Sequence, residues 1–212
     1  MFSAENFIFI LVVPTSKIWL IGSSLVHWAE ARARKSRAEW SLLTHTRVTW
    51  YGQRGMKWDQ LLPKIKAILQ YTPAPDMICI HLGGNDLAST PLRKLTCQAK
   101  SDMNALAKLC PHTTLVWSDI LARISYRNAS NDNKMEKTRK TLNSALRAHT
   151  RKLGGKSIRH PGINWDLPHL FRNDGVHLND RGNDIFLGNL QGSITCFDRC
   201  PSECEFPIPI GS

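Results

Sequence analysis

Two short segments of this chain carry residues that could form a nucleophile, its base and the group that orients the base. Ser24 follows Gly22-Ser23 near the start of the chain, and Asp174 precedes His177 by three residues near its end. A carboxylate at that spacing can accept the Nδ1 proton of the imidazole, which fixes the tautomer and leaves Nε2 free to take a proton from a hydroxyl. These residues predict a triad of Ser24, His177 and Asp174.

Donors for a developing negative charge lie in the same segment and in two loops between the triad segments. Ser24 is expected at the start of a helix, where its backbone N–H has no intrahelical partner. Gly55 offers a backbone N–H with no Cβ in front of it, and Asn85, in Gly83-Gly84-Asn85-Asp86, offers a side-chain amide. The three donors predict an oxyanion hole. Asp86 is expected to brace the Asn85 loop.

Each segment also has a structural interpretation when it is taken alone. Ser24 could be a helix cap, Asn85 could belong to a turn, and Asp174 with His177 could form a surface hydrogen bond. The order of the segments, and the position of the first three after predicted strands, favours the catalytic interpretation. The other histidines have no partner in an ordered pattern, so His81, His149, His160 and His169 are expected to be structural or surface residues.

The elements that must position these residues alternate between strand and helix. Apolar or β-branched runs predict strands at residues 17–21, 47–50, 76–82, 113–117 and 157–159. Apolar residues at helical spacing predict the helices between and after them, the last from 180 to about 191 with Asn179 as its cap. Five such units predict a doubly wound α/β fold, a parallel sheet with helices on both faces. Ligands of such sheets bind beyond the carboxyl ends of the strands.

The length of 212 residues and a hydrophobic fraction of 42% predict one globular domain. We place it at residues 16–192, after an apolar leader at 1–15 and before a Cys- and Pro-containing tail at 193–212. The apolar run at residues 7–13 is too short to span a bilayer and lacks the basic region of a signal peptide, so an intracellular location is favoured over secretion. Only in a secreted protein would the Asn-Ala-Ser sequence at 128–130 be a glycosylation site.

The six cysteines do not have the spacing of a disulfide framework, so reduced thiols are expected. Cys196, Cys200 and Cys204 repeat every four residues, but zinc takes four ligands and no histidine lies close to them in the sequence. Neither a metal nor another cofactor is therefore expected.

The charge balance is strongly basic, with 28 Lys and Arg against 17 Asp and Glu and a net charge of +11. Such a charge attracts polyanions, but the chain has no recognisable base-reading motif, so only weak, non-specific nucleic-acid binding is expected. Lys137, Lys140, Arg147 and Arg151 share one side of a helix predicted at residues 134–153. We interpret this basic stripe as a solvated face in preference to a binding surface.

Taken together, the motifs resemble the four blocks of the SGNH (GDSL-type) hydrolase superfamily. The matching segments, in order, are Gly22-Ser23-Ser24-Leu25, Gly55, Gly83-Gly84-Asn85-Asp86 and Asp174-Gly175-Val176-His177. The resemblance covers roughly residues 16–192 and implies a flavodoxin-like five-stranded fold that hydrolyses small acyl esters through an acyl-enzyme, without a metal. It implies Ser24 as nucleophile with Asp174 and His177, and an oxyanion hole of Ser24, Gly55 and Asn85.

The chain departs from the family pattern at Ser23, where the family carries an aspartate. The Ser23 hydroxyl is expected to cap the first helix instead, and Ser23 is itself the alternative nucleophile. Residues 28–30 and 174–183 are also similar to SGNH domains of vertebrate transposable-element-derived proteins. Two functions stay open: a serine esterase, and a weakly active or inactive fold that serves as a nucleic-acid or protein-binding module.

Overall fold

The structure is a computed structural model that describes residues 16–36, 46–126 and 131–208. The predicted leader at 1–15, the Asn-Ala-Ser sequence at 128–130 and the last four residues of the predicted tail lie outside the described residues. Within the described ranges, no helix is long and apolar enough to cross a membrane.

Strands and helices alternate along the described chain, as the sequence predicts. The strands are β1 (Ser16–Gly22), β2 (Thr46–Gly52), β3 (Met77–His81), β4 (Thr114–Ser118), β5 (Lys156–Ile158) and β6 (Glu205–Phe206). The helices are α1 (Ser24–Lys35), α2 (Leu61–Leu69), α3 (Leu92–Leu109), α4 (Asp132–Lys152) and α5 (Asp180–Arg199). Short 3-10 turns cover Trp58–Gln60 and Pro168–Leu170. Asn179 caps α5 as expected, because its side chain accepts a hydrogen bond from the N–H of Gly182 at 3.0 Å.

The strands form one parallel sheet in the order β2-β1-β3-β4-β5-β6. The first five strands have the flavodoxin-like order, which confirms the predicted doubly wound fold, and β6 adds a strand beyond the five expected. The strand order reverses between β1 and β3. In this architecture the crevice at the carboxyl ends of those two strands is the usual place for a ligand.

Both faces of the sheet are covered because its central strands are apolar on both sides. Trp19 and Ile21 of β1 pack into the same cluster as residues of α2, α3 and α4, whereas Leu20 packs with residues of α1 and α5. Consecutive residues of a strand point to opposite faces, so this nearly unbroken apolar run is what a doubly covered strand requires. The packing fixes the direction in which each strand presents its carboxyl end.

The C-terminal part of the chain differs from the sequence-based prediction. The last helix was expected to end near residue 191, but α5 continues to Arg199 because Ile194 and Phe197 extend its buried apolar face. Beyond it, β6 pairs with β5, and the N–H groups of Ser157 and Arg159 donate to backbone carbonyls at 2.8 and 2.7 Å. Residues 193–199 and 205–206 of the predicted tail therefore belong to α5 and β6.

Several side chains of the basic stripe on α4 form ion pairs with carboxylates of the same chain. Glu205 of β6 is buried, and its carboxylate lies 3.9 Å from Arg147, 3.3 Å from Arg151 and 2.5 Å from Arg159. Arg147 also forms an ion pair with Asp119. Lys140 lies 3.5 Å from Glu136, so three of the four stripe cations are engaged with buried or partly buried carboxylates of the same chain. The stripe is solvent-exposed at Lys137, Lys140 and Arg151, as a solvated face requires, and only Arg147 is partly buried.

All six cysteines lie in the described ranges and are free thiols. Cys79 and Cys110 are buried, Cys97 and Cys200 are exposed, and Cys196 and Cys204 are partly exposed. Among the residues that the structure describes, no group of three or more His, Cys, Asp or Glu side chains is arranged to hold a metal ion.

We predict that Glu205→Gln destabilises the domain by about 2–4 kcal/mol, because it leaves three arginines around a neutral group. Chemical denaturation measures this change, and Glu203→Gln is the control because it removes a nearby charge that forms no ion pair among the described residues. Equal stability of the two variants would show that the Glu205 cluster does not hold β6 to the sheet.

Candidate active site

Ser24 is placed by the tight junction between β1 and α1. Ser23 has an extended backbone, and Ser24 opens the helix, so the Ser24 N–H has no intrahelical acceptor. The expected cap by the Ser23 hydroxyl is wrong, because that side chain makes no capping hydrogen bond. Ser23 is instead buried and lines a small void with His81 and Leu82.

The structure brings Ser24, His177 and Asp174 into one hydrogen-bonded line. Ser24 Oγ lies 2.8 Å from His177 Nε2, and His177 Nδ1 lies 2.6 Å from Asp174 Oδ2. With the Nδ1 proton donated to the carboxylate, Nε2 is the acceptor for the Ser24 hydroxyl proton. This is the geometry in which a histidine can remove a proton from a nucleophile as it attacks.

The loop that carries Asp174 and His177 is closed on itself. Phe171 pairs with Leu178, and the N–H of Arg172 donates to the carbonyl of His177 at 2.7 Å. The second carboxylate oxygen of Asp174 accepts hydrogen bonds from the N–H groups of Val176 at 3.0 Å and His177 at 2.9 Å. The loop therefore fixes the carboxylate by its own backbone.

These contacts control the ionisation of Asp174. Partial burial alone would raise the pKa of this carboxyl, but the hydrogen bonds from the His177 ring and from two backbone N–H groups outweigh it and lower the pKa to about 2. Asp174 is consequently ionised at any ordinary pH, and it orients the imidazole as a permanent hydrogen-bond acceptor.

The predicted oxyanion donors come from the loops after β2 and β3. Gly55 has φ of +72°, a conformation that favours glycine, and a Cβ at this position would meet no atom within 4 Å. Asn85 Nδ2 donates to the carbonyl of Met56 at 3.1 Å, and its Oδ1 accepts from Arg123 Nη2 at 3.2 Å. An amide nitrogen carries two hydrogens, so one N–H of Asn85 is left for a ligand.

Asp86 joins these two loops, which confirms its expected bracing role. Its carboxylate accepts a hydrogen bond from the N–H of Trp58 at 3.2 Å, and the Trp58 indole donates to Asp102 of α3 at 3.0 Å. Burial raises the pKa of Asp86 to about 6, although the Trp58 N–H and the charge of Lys57 act in the opposite direction. The ionised Asp86 therefore destabilises the folded protein at neutral pH, because burial disfavours its charge.

The predicted site residues share one open cleft at the carboxyl ends of β1, β2 and β3. The cleft has a volume of about 890 Å³. Ser24, Gly55, Asn85, Asp174 and His177 all lie in its lining. Sequence reasoning missed Arg54, Lys57, Arg123, Ser125 and Tyr126, which also line it. The last three follow β4 at its carboxyl end, and that position was the signal that could have found them.

A second serine–histidine group lies outside the cleft. Ser118 Oγ lies 3.0 Å from His81 Nδ1 and 2.7 Å from His160 Nε2. Ser118 has no exposed surface, and burial lowers the pKa of His81 to about 3 and that of His160 well below its ordinary value. Both rings pack against Phe186. A substrate has no access to this group, in which the Ser118 hydroxyl provides a hydrogen-bond partner for one nitrogen of each buried ring.

The two other histidines named above lie at the surface. His149 of α4 is partly exposed, and its Nε2 lies 3.2 Å from the carbonyl of Lys100 and 3.1 Å from Asn104 Oδ1. His169, in the turn Pro168–Leu170, is exposed. Neither side chain lines the cleft.

Comparison with known proteins identifies the fold. No protein-family model matches the chain, and a search of curated proteins finds no match. Among solved structures, the chain is similar to a GDSL-like lipase from Bacteroides thetaiotaomicron, with 15% identity, a TM-score of 0.63 and coverage of 85% of this chain and 88% of that one.

Two esterases show the same likeness. A psychrotrophic esterase from Pseudoalteromonas, solved with monoethylphosphonate as inhibitor, has 15% identity and a TM-score of 0.60 over 87% of this chain and 99% of that one. An acetyl xylan esterase from Geobacillus stearothermophilus has 14% identity and a TM-score of 0.59 over 87% of this chain and 97% of that one. The chain therefore has the α/β fold of GDSL-type lipases and esterases.

The raised pKa of Asp86 predicts that the stability of the protein depends on pH. Because the folded-state pKa of Asp86 is raised above its ordinary value of 3.8 to about 6, its stabilising contribution is complete below about pH 4 and is lost as the pH rises through about 6. Asp86→Asn should therefore gain stability relative to wild type between about pH 4 and 7, by up to about 3 kcal/mol. Urea denaturation at several pH values measures the difference. A difference that does not change with pH would contradict the raised pKa.

Proposed function

We propose that this protein is a serine esterase that hydrolyses a small acyl ester through an acyl-enzyme on Ser24. The observation that carries the proposal is the 2.8 Å contact between Ser24 Oγ and His177 Nε2 in an open cleft, with the imidazole held by Asp174 at 2.6 Å. A serine alone is a weak nucleophile at neutral pH, and an adjacent neutral imidazole is what activates it.

In the acylation half-reaction, Ser24 Oγ attacks the ester carbonyl carbon while His177 Nε2 takes the hydroxyl proton. The resulting imidazolium is stabilised by the ionised Asp174. The carbonyl oxygen becomes an oxyanion, which the backbone N–H groups of Ser24 and Gly55 and the free N–H of Asn85 would bind. Collapse of this intermediate breaks the bond to the alcohol oxygen, and His177 returns its proton to the leaving alcohol.

In the second half-reaction, water replaces the alcohol. His177 removes a proton from water, the hydroxide oxygen attacks the acyl carbon, and the same three donors bind the oxyanion. The intermediate then expels Ser24 Oγ, which recovers its proton from His177, and the carboxylic acid leaves. Each step uses only groups that line the cleft, and the chemistry requires no cofactor.

The structural neighbours support an ester as substrate. The three proteins compared above are named as a lipase or as esterases, and one was solved with a phosphonate inhibitor. The replacement of the family aspartate by Ser23 does not separate the proposed triad, because Ser24 and His177 are in hydrogen-bond contact with Ser23 present. This contact supports an active enzyme.

The alternative function is a weakly active or inactive fold that binds nucleic acid or protein. Arg147, one of the cations of the basic stripe, is largely buried and pairs with Asp119 and Glu205, and the exposed Arg151 also pairs with Glu205. We therefore rank this alternative below the esterase. The narrower similarity to transposable-element-derived proteins has no support in the comparisons and stays a prediction.

Loss of the proposed nucleophile is the first test. Purified Ser24→Ala should hydrolyse para-nitrophenyl acetate at least ~10³-fold more slowly than wild type, since removing a triad serine typically costs about 10⁶ in turnover. Initial rates measure this at matched protein concentration. Ser23→Ala and Ser118→Ala are the controls, because each removes a neighbouring or histidine-bonded hydroxyl and both should keep activity.

Equal rates for wild type and Ser24→Ala would contradict the esterase. Loss of activity in Ser23→Ala together with full activity in Ser24→Ala would transfer the nucleophile to Ser23.

The role of Asn85 in the proposed oxyanion hole can be tested by its effect on kcat and KM. Asn85→Ala should lower kcat about 10²- to 10³-fold and leave KM nearly unchanged, because an oxyanion donor acts mainly in the transition state. Full Michaelis curves separate the two constants, and a thermal melt shows whether the variant is folded. If the activity loss is matched by a large loss of stability, Asn85 is a turn residue and not a donor.

A further inference from the structure

The charges in the cleft are strongly unequal. Its lining includes three cationic side chains, those of Arg54, Lys57 and Arg123. Among the described residues that line it, the one carboxylate is Asp174, which is held by His177 and by backbone N–H groups. Hydrolysis of a neutral ester gives no reason for three cations in the cleft, because the proposed oxyanion hole consists of N–H dipoles.

Arg123 is the most unusual of the three cations because it is the most deeply placed. Nη2 donates to Asn85 Oδ1 at 3.2 Å, and the guanidinium carbon lies 5.9 Å from the centre of the Tyr126 ring. Nε is buried and has no hydrogen-bond partner within the described part of the chain. The guanidinium therefore has donors that its protein surroundings do not use.

No carboxylate compensates the Arg123 charge directly. The nearby acids, Asp86 and Asp174, are engaged with the Trp58 N–H and with His177 respectively, and neither forms an ion pair with Arg123 in the described residues. Burial lowers the pKa of Arg123 from its ordinary value. A largely desolvated cation without a counter-ion is costly, and a bound anion would supply the missing charge.

The loop after β3 is shaped to admit this side chain. A Cβ on Gly84 would lie 2.6 Å from Arg123 Nη2 and 3.3 Å from its guanidinium carbon. Any other residue at position 84 would therefore displace the guanidinium from Asn85 and from the cleft. The absence of a side chain at Gly84 is what allows a cation to lie beside the proposed oxyanion donor.

The two other cations belong to a different loop. Arg54 and Lys57 flank Gly55 in the loop after β2, and both line the cleft. The guanidinium of Arg54 is 5.9 Å from the Trp28 ring centre, so an aromatic contact helps to hold it at the rim. An anion in the cleft would thus have cations from two loops within the same lining, Arg123 after β4 and Arg54 with Lys57 after β2.

We propose that the substrate is an acyl ester that also carries an anionic group, a carboxylate or a phosphate, and that Arg123 binds this group with help from Lys57 and Arg54. The proposal rests on the esterase function and specifies its substrate class. The anionic group is a spectator in the reaction, so the bonds formed and broken are those of ordinary ester hydrolysis. Arginine suits this role because its planar donors match both carboxylate and phosphate.

The test compares matched neutral and anionic esters. On the acyl side, para-nitrophenyl butyrate is compared with para-nitrophenyl hydrogen succinate, and on the alcohol side monoacetylglycerol is compared with its phosphate. We expect kcat/KM to favour the anionic member of at least one pair by about 10-fold or more, as a charge-assisted contact provides. The pair that shows the preference tells which side of the ester carries the charge.

Substitutions of the cationic residues show which of them produce the preference for anionic esters. Because Arg123 also contacts Asn85, Arg123→Gln will slow all esters, so the readout is the ratio of kcat/KM for anionic and neutral members, which should fall to about 1. Arg123→Lys should keep part of the preference, since it keeps the charge and loses the fork. Lys57→Gln should reduce it. Lys108→Gln removes an equal charge from the exposed last turn of α3, which precedes the amino end of β4 and does not line the cleft, and should leave it unchanged.

Failure of this inference can be told apart from failure of the proposed function. An active enzyme with no anionic preference in either pair overturns the anion site and leaves the esterase. If no ester is hydrolysed, the esterase fails, and the anion site is tested by titrating succinate and inorganic phosphate into the protein by NMR. Binding by wild type that is lost in Arg123→Gln would support the site, and its absence in wild type would overturn it.

Discussion

The hydrogen bond between Ser24 and His177 joins residues that are 153 positions apart, and the proposed chemistry depends on it. No local structure can form such a contact, so it requires α1 and α5 to dock in register on one face of the sheet. Arg32 of α1 fixes that register through ion pairs with Asp184 at 2.7 Å and Asp180 at 3.2 Å, in the helix that follows His177. The triad geometry is thus a consequence of helix packing.

The opposite wall of the cleft depends on a separate, largely buried set of contacts. Asp86 links the loops after β2 and β3, and Asn85 is held between the Met56 carbonyl and Arg123. Holding an amide at both ends fixes which of its atoms faces the ligand, and preorganised donors of this kind stabilise a transition state without reorganisation. The raised pKa of Asp86 and the absence of an ion pair at Arg123 are electrostatic costs concentrated around Asn85, and perturbed groups of this kind are often found at functional sites.

Sequence patterns were sufficient for the parts of the fold that repeat and insufficient for contacts made by distant residues. The five predicted strands were found because parallel strands buried on both faces are continuous apolar runs. The end of α5 was misjudged because Gly192 does not stop a helix whose apolar face continues through Phe197. Glu205 and Arg147 are far apart in sequence, and the spacing of residues along the chain does not predict that they pair. The position of Arg123 after β4 indicated the carboxyl edge of the sheet, but its contact with Asn85 follows from tertiary packing and could not be predicted.

The central claim is that Ser24 is an activated nucleophile, and labelling by a fluorophosphonate tests it most directly. Such a reagent phosphonylates a serine whose proton is removed by a neighbouring base, and peptide mass spectrometry locates the adduct. The structure predicts one predominant adduct, on Ser24, that is abolished when His177 is replaced by Ala. A protein that stays unlabelled while it is folded, or a label on Ser23 or Ser118 instead, would contradict the account.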